Sequence, residues 1–91
     1  MPTDPTPRRV VVAGTVPEVE PDLVRHARTL RDAGVEVIWV GVGLAPAEVA
    51  AVAVSEDVAA VVVAPTSAVD AVTQALSRLE ADDLDVAALP T

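Results

Sequence analysis

Val10-Val-Val-Ala13 is apolar without alternation, the pattern of a short strand buried on both faces, and Gly14 closes it. Residues 15–20 read as a loop. Pro21 suits the first helical position, and Glu18, Glu20 and Asp22 lie at the end of the helix dipole that favours acids. Leu23, Val24, Ala27, Leu30 and Ala33 then recur at helical spacing, with Arg25, Arg28, Arg31 and Asp32 on the other face, and Gly34 stops the helix. Residues 35–40 form a second strand ended by Gly41, with Gly43 in the following loop. Pro46 opens a short second helix whose stripe is Val49, Val52 and Ala53 and which ends near Ser55. Residues 58–64 are a third buried strand, and Pro65-Thr66-Ser67 is a turn. Val69, Val72, Leu76 and Leu79 mark a third helix, Asp82-Asp83 a loop, and residues 84–89 a fourth strand.

The predicted order is β-α-β-α-β-α-β. Short links and right-handed crossovers make the sheet parallel and cover it on both faces. One reversal of direction gives strand order 2-1-3-4, a flavodoxin-like α/β sandwich with four parallel strands. Residues 1–7 hold three prolines and read as a flexible leader; residues 8–91 read as one domain. Such folds usually run to a fifth strand and helix, and the fourth strand is therefore expected to form an edge.

Composition narrows the chemistry. Trp39 is the only aromatic residue, so the core must be built from Val, Ala and Leu. The 14 acids against six arginines leave a net charge of −8, which lacks the positive patch that nucleic acid or an anionic membrane surface requires. With no cysteine, disulfides, thiol nucleophiles and Cys-ligated metals are excluded. Neither an apolar run long enough to span a bilayer nor a signal pattern is seen, and the expected location is cytoplasmic.

In open α/β sheets ligands sit at the carboxyl ends of the strands, beside the reversal of strand order. That rule selects Gly14 and Thr15 after strand one, Gly41 and Gly43 after strand two, and Thr66 and Ser67 after strand three as candidate binding residues. The glycines allow close backbone approach, although turns and caps call for the same residues. The one histidine, His26, falls mid-helix, two turns from that crevice, so neither a Ser-His-Asp triad nor a metal role is assigned to it. No phosphate-loop or dinucleotide glycine pattern occurs, and Ala13-Gly14 and Ala64-Pro65 replace the acids of a phospho-acceptor receiver.

Four segments together carry a family resemblance: Arg28-Thr-Leu-Arg-Asp-Ala-Gly34, Val35-Glu-Val-Ile-Trp-Val-Gly41, Pro46-Ala-Glu-Val49 and Glu56-Asp57-Val58. The stretch from about Ala27 to Ser67 resembles, without a gap, the cobalamin-binding domain of methylmalonyl-CoA mutase and related acyl-CoA mutases. In that family the loop after strand one carries Asp-x-His-x-x-Gly. Its His is the lower ligand to cobalt, and its Asp orients the His from behind. Counting back from the matched helix puts Pro17 at the Asp position, Val19 at the His position and Asp22 at the Gly position. Ala64 stands for a serine that faces the nucleotide tail, and Leu89-Pro90 for a Gly-Gly pair.

The resemblance thus implies the family's scaffold without its His-on cobalamin site. Two functions follow from it. The first is a non-catalytic accessory or regulatory subunit that engages a protein partner, such as a mutase large subunit, or another copy of itself through the fourth strand. The second is a functional cobalamin-binding subunit of a mutase, an isomerase component, with non-His ligation. No catalytic residue and no metal ligand is assigned under either reading.

Overall fold

Runs of valine and alanine give the sheet, and the periodic segments between them give the helices. The computed structural model describes residues 8–89; the leader expected over 1–7, and Pro90, lie outside the described residues. The elements are β1 (Arg9–Gly14), a 3-10 turn (Pro17–Val19), α1 (Glu20–Asp32), β2 (Glu36–Gly41), α2 (Pro46–Ser55), β3 (Ala60–Ala64), α3 (Ala68–Arg78) and β4 (Asp85–Ala88). All strand pairs are parallel, in the order β2-β1-β3-β4. The chain steps from β1 to β2 in one direction, then crosses back to β3 and on to β4. Right-handed crossovers therefore place α1 on one face and α2 and α3 on the other. This is the expected flavodoxin-like α/β fold, with the reversal between β1 and β3.

Alternation along the strands divides the core in two. Val11, Ala13, Val61 and Val63 pack with Val49, Ala50 and Ala53 of α2 and with Val72, Ala75 and Leu76 of α3. Val10, Val12, Ala60, Val62 and Ala64 pack on the opposite face with Leu23 of α1. Every buried hydrophobic residue is Val, Ala or Leu, as the composition requires. Trp39 pairs with Val12 in register and so shares the face of α1, but it sits on the edge strand β2 and is 36% exposed.

Several local expectations are corrected. The segment read as a loop before α1 contains the turn Pro17–Val19, and the helix begins at Glu20. The strand expected from residue 58 begins at Ala60, because the Val58 N–H still bonds the Ala53 carbonyl of α2 at 3.3 Å. Val24 and Leu79 belong to the helical stripes by spacing, yet they are 38% and 48% exposed. Val24 lies one helical step, about 100°, away from buried Leu23 and faces outward beside β2. Leu79 follows the last residue of α3 and caps it, one turn past the point where the helix covers the sheet.

At the amino-terminal end of the strands Arg9 acts as a clasp. Its Nε donates to Glu36 Oε2 at 2.9 Å and its Nη2 to Glu56 Oε1 at 3.2 Å, while Nη1 donates to the Glu56 carbonyl. The hydrogen bond to Glu36, foremost, raises the Arg9 pKa above the ordinary guanidinium value. The clasp ties the start of β1 to β2 and to the end of α2.

The two-sided core assigns different weights to neighbouring residues of α1. Leu23→Ala should lower stability by about 2–5 kcal/mol, whereas Val24→Ala should change it by less than about 1 kcal/mol. Urea unfolding checks this: the midpoint of the Leu23 variant falls at unchanged slope. Equal effects would mean that α1 is rotated from the orientation described.

Candidate functional site

The fold brings the three selected loops to the carboxyl end of the sheet. Gly14 ends β1, Gly41 ends β2, and Thr66 and Ser67 follow β3. Backbone bonds lace these ends together. The Thr15 N–H donates to the Ala64 carbonyl at 3.0 Å, bridging the reversal between β1 and β3, and the Leu44 N–H donates to the Gly14 carbonyl at 3.2 Å. These polar groups are consequently engaged by the chain itself.

The glycines have different reasons for being glycine. A methyl group at Gly14 would lie 2.6 Å from Val19 Cγ2, 2.9 Å from Leu23 Cδ1 and 3.0 Å from Val42 Cγ1. The close approach anticipated for a ligand is thus made by the protein's own aliphatic side chains. At Gly41 and Gly43 a side chain would meet nothing within 4 Å; their φ values of +109° and +77° are what glycine permits there. Gly41 follows an irregularity in the β1–β2 register, where Val12 pairs with Trp39 and Ala13 already pairs with Gly41.

The hydroxyls are exposed or half-buried. Thr66 and Ser67 face solvent, Ser67 makes no side-chain cap to α3, and Thr15 is half-buried. The Ala68 N–H donates to the Pro65 carbonyl at 2.9 Å and the Val69 N–H to that of Thr66 at 3.1 Å, so the backbone closes this turn. Thus all six predicted residues gather at one end of the sheet, but Gly14 lies beneath an apolar cover while the others line its rim.

Val19 is the central residue of the comparison with a cobalt-binding loop. It is half-buried, its γ-methyl covers Gly14, and it packs with Leu23 and Val42 against the α1-side core. A valine has no lone pair to give a metal. Pro17 opens the turn and offers no carboxylate. Among the described residues no group of three or more His, Cys, Asp or Glu side chains is arranged to hold a metal ion. His26 is partly exposed in mid-α1.

A second concavity lies away from the strand ends. Val24, Ala27, Arg28 and Arg31 of α1 and Trp39 of β2 line an open groove of about 300 Å³. Periodicity does not reveal it, since Val24 falls in the core stripe by spacing and the arginines on the solvated face. The signal that was present was the placement of the sole aromatic residue in a strand predicted to be an edge.

The sequence matches no protein-family model, and no curated protein is significantly similar to it. No helix among the described residues is long and apolar enough to cross a membrane.

If the cover over Gly14 is a packed contact, Gly14→Ala should destabilise the protein by about 1–3 kcal/mol. Val19→Ala removes the nearest obstructing methyl groups, so the double variant should be more stable than the sum of the two single effects. A double-mutant cycle by thermal denaturation measures this coupling; strict additivity would show that the two residues do not meet.

Proposed function

We propose that this chain is a non-catalytic protein of the cobalamin-binding-domain type, an accessory or regulatory subunit related to acyl-CoA mutases that has lost the His-on cobalamin site. The observation that carries the reading is the seat of Val19 over Gly14. The residue aligned with the cobalt ligand of the mutase domains has become part of the hydrophobic packing between α1 and β1. A lower axial ligand must present a lone pair to the metal, and a second group must orient it. Val19 and Pro17 supply neither, so the chain's residues do not fit a cobalamin held through histidine, and no chemical step is derived through cobalt. The resemblance spanning Ala27 to Ser67, together with the flavodoxin-like strand order, supports the origin of the scaffold. A protein partner, such as a mutase large subunit, is then the recognised molecule. The edge strand β4 offers one place for added pairing.

The rim favours one alternative, a functional cobalamin-binding subunit with non-His ligation. The space beyond Gly41 and Gly43 is open, and Thr66 and Ser67, at the same end of the sheet across β1, are exposed. A corrinoid that keeps its own base on cobalt would need only such a rim.

A hydroxocobalamin titration followed by gel filtration separates the readings. The accessory reading expects an unchanged visible spectrum and no pigment in the protein peak, together with co-elution of the chain with an acyl-CoA mutase subunit from the same genome. A pigmented protein peak favours the alternative, and absence of a mutase complex overturns the accessory role. Val19→His alone should also leave the spectrum unchanged, because Pro17 cannot orient the imidazole; a base-off shift in that variant would contradict the reading.

A further inference from the structure

Charge is unevenly distributed along this acidic chain. Residues 1–31 carry five arginines against four acids, and residues 32–91 carry one arginine against ten acids. The fold turns this asymmetry into two different surfaces. On the β2 side, Arg28 and Arg31 stand i and i+3 on α1 and share the groove with Trp39, Val24 and Ala27. Among the described residues neither arginine is in an ion pair, whereas Arg8, Arg9 and Arg25 each are. On the β4 side, Leu79 projects where α3 ends, and Glu80, Asp82 and Asp83 follow it, all exposed. Asp82 accepts a hydrogen bond from Ser77, and none of the three acids is in an ion pair among the described residues.

These surfaces are opposite in charge, and each has an exposed apolar side chain. One is a groove with an apolar floor, an indole wall and two guanidinium groups. The other is the end of α3, where exposed Leu79 stands between Arg78 and the carboxylates of Glu80, Asp82 and Asp83, so that three acids there outnumber one arginine. Exposed Trp and Arg are the side chains that most often anchor protein contacts, and arginine pairs well with carboxylate because its donors form a planar fork. The surfaces lie towards opposite edges of the sheet, since β2 and β4 are its two edge strands.

We propose that the Trp39 groove of one molecule receives the Leu79–Glu80–Asp82–Asp83 corner of a second copy, a head-to-tail contact. Because the two surfaces differ, the contact is heterologous and can propagate from copy to copy. It is small, so the association is weak and concentration-dependent. The net charge of −8 on each copy opposes it only at long range. At about 0.15 M salt the Debye length is about 8 Å, so charges in direct contact outweigh the more distant ones. The proposal does not rest on the crevice reading. A monomeric protein would overturn it and leave the hydroxocobalamin result untouched.

Sedimentation of the full chain from about 10 μM to 1 mM tests the contact. The mean mass should rise above the 9.3 kDa of one copy, and the emission of Trp39, the only tryptophan, should move to shorter wavelength. Raising salt from about 0.15 to 1 M should weaken the association. Arg28→Glu with Arg31→Glu should abolish it, and so should Asp82→Arg with Asp83→Arg. Mixing the two double variants should restore it, although both remain net acidic; circular dichroism confirms that each is folded. A monomer throughout this range, association indifferent to salt or to both charge reversals, or a mixture that stays monomeric would each overturn the proposal. So would a chain that is monomeric alone but binds a mutase subunit through Arg28 and Arg31, because the occupant of the groove would then be the mutase.

Discussion

At Gly14 the backbone of β1 passes under Val19, Leu23 and Val42, and there is no room for even one more carbon atom. This contact sets how closely α1 lies on the sheet. Leu23 can be fully buried only because β1 presents bare backbone at that point. The turn Pro17–Val19 then brings Val19 over the same spot, and the loop after β2 brings Val42. Side chains from the turn, from α1 and from the loop after β2 thus converge on one glycine, and the backbone bonds from Thr15 to Ala64 and from Leu44 to Gly14 hold the strand ends in place around it. Packing that requires the absence of a side chain is unforgiving, because core atoms displaced by tenths of an ångström have nowhere to go.

A doubly wound sheet leaves its crevice where strand order reverses, and a ligand there uses the backbone approach that glycine allows. Here that approach serves the protein's own hydrophobic packing. The volume over Gly14 is filled by Val19, Leu23 and Val42. The rim at Gly41, Gly43, Thr66 and Ser67 keeps its openness because backbone conformation, rather than side-chain packing, determines those positions.

The elements and their order were legible because each strand is a short uninterrupted apolar run and each helix begins near a proline or an acidic turn. The 2-1-3-4 order followed from crossover handedness, a rule that needs no side-chain detail. The carboxyl-end position of Gly14, Thr15, Gly41, Gly43, Thr66 and Ser67 likewise follows from where the strands end. Spacing could not tell which way Val24 turns, since it differs from Leu23 by a single residue on a helix that covers only part of its face of the sheet. Nor could it reveal Leu79 as a cap, because where a helix ends depends on the turn that follows. The contacts of Gly14 were hidden for the same reason: sequence shows that a close approach is permitted, and only the packing shows that Val19, Leu23 and Val42 make one.

Trp39 shows how these constraints are connected. A core of valine, alanine and leucine leaves no interior space suited to an indole, and the fold places the ring on an edge strand, partly covered by α1. Turning Val24 outward to allow Leu23 inward supplies the apolar side of the groove, and the helical period puts Arg28 and Arg31 along it. The groove is therefore a geometric consequence of the packing that covers Gly14: the helix orientation that seats Leu23 over Gly14 leaves Val24 on the flank beside β2. A rotation of α1 that withdrew Leu23 from Gly14 would carry Val24, Arg28 and Arg31 with it, so the cover over Gly14 and the groove are coupled through a single helix.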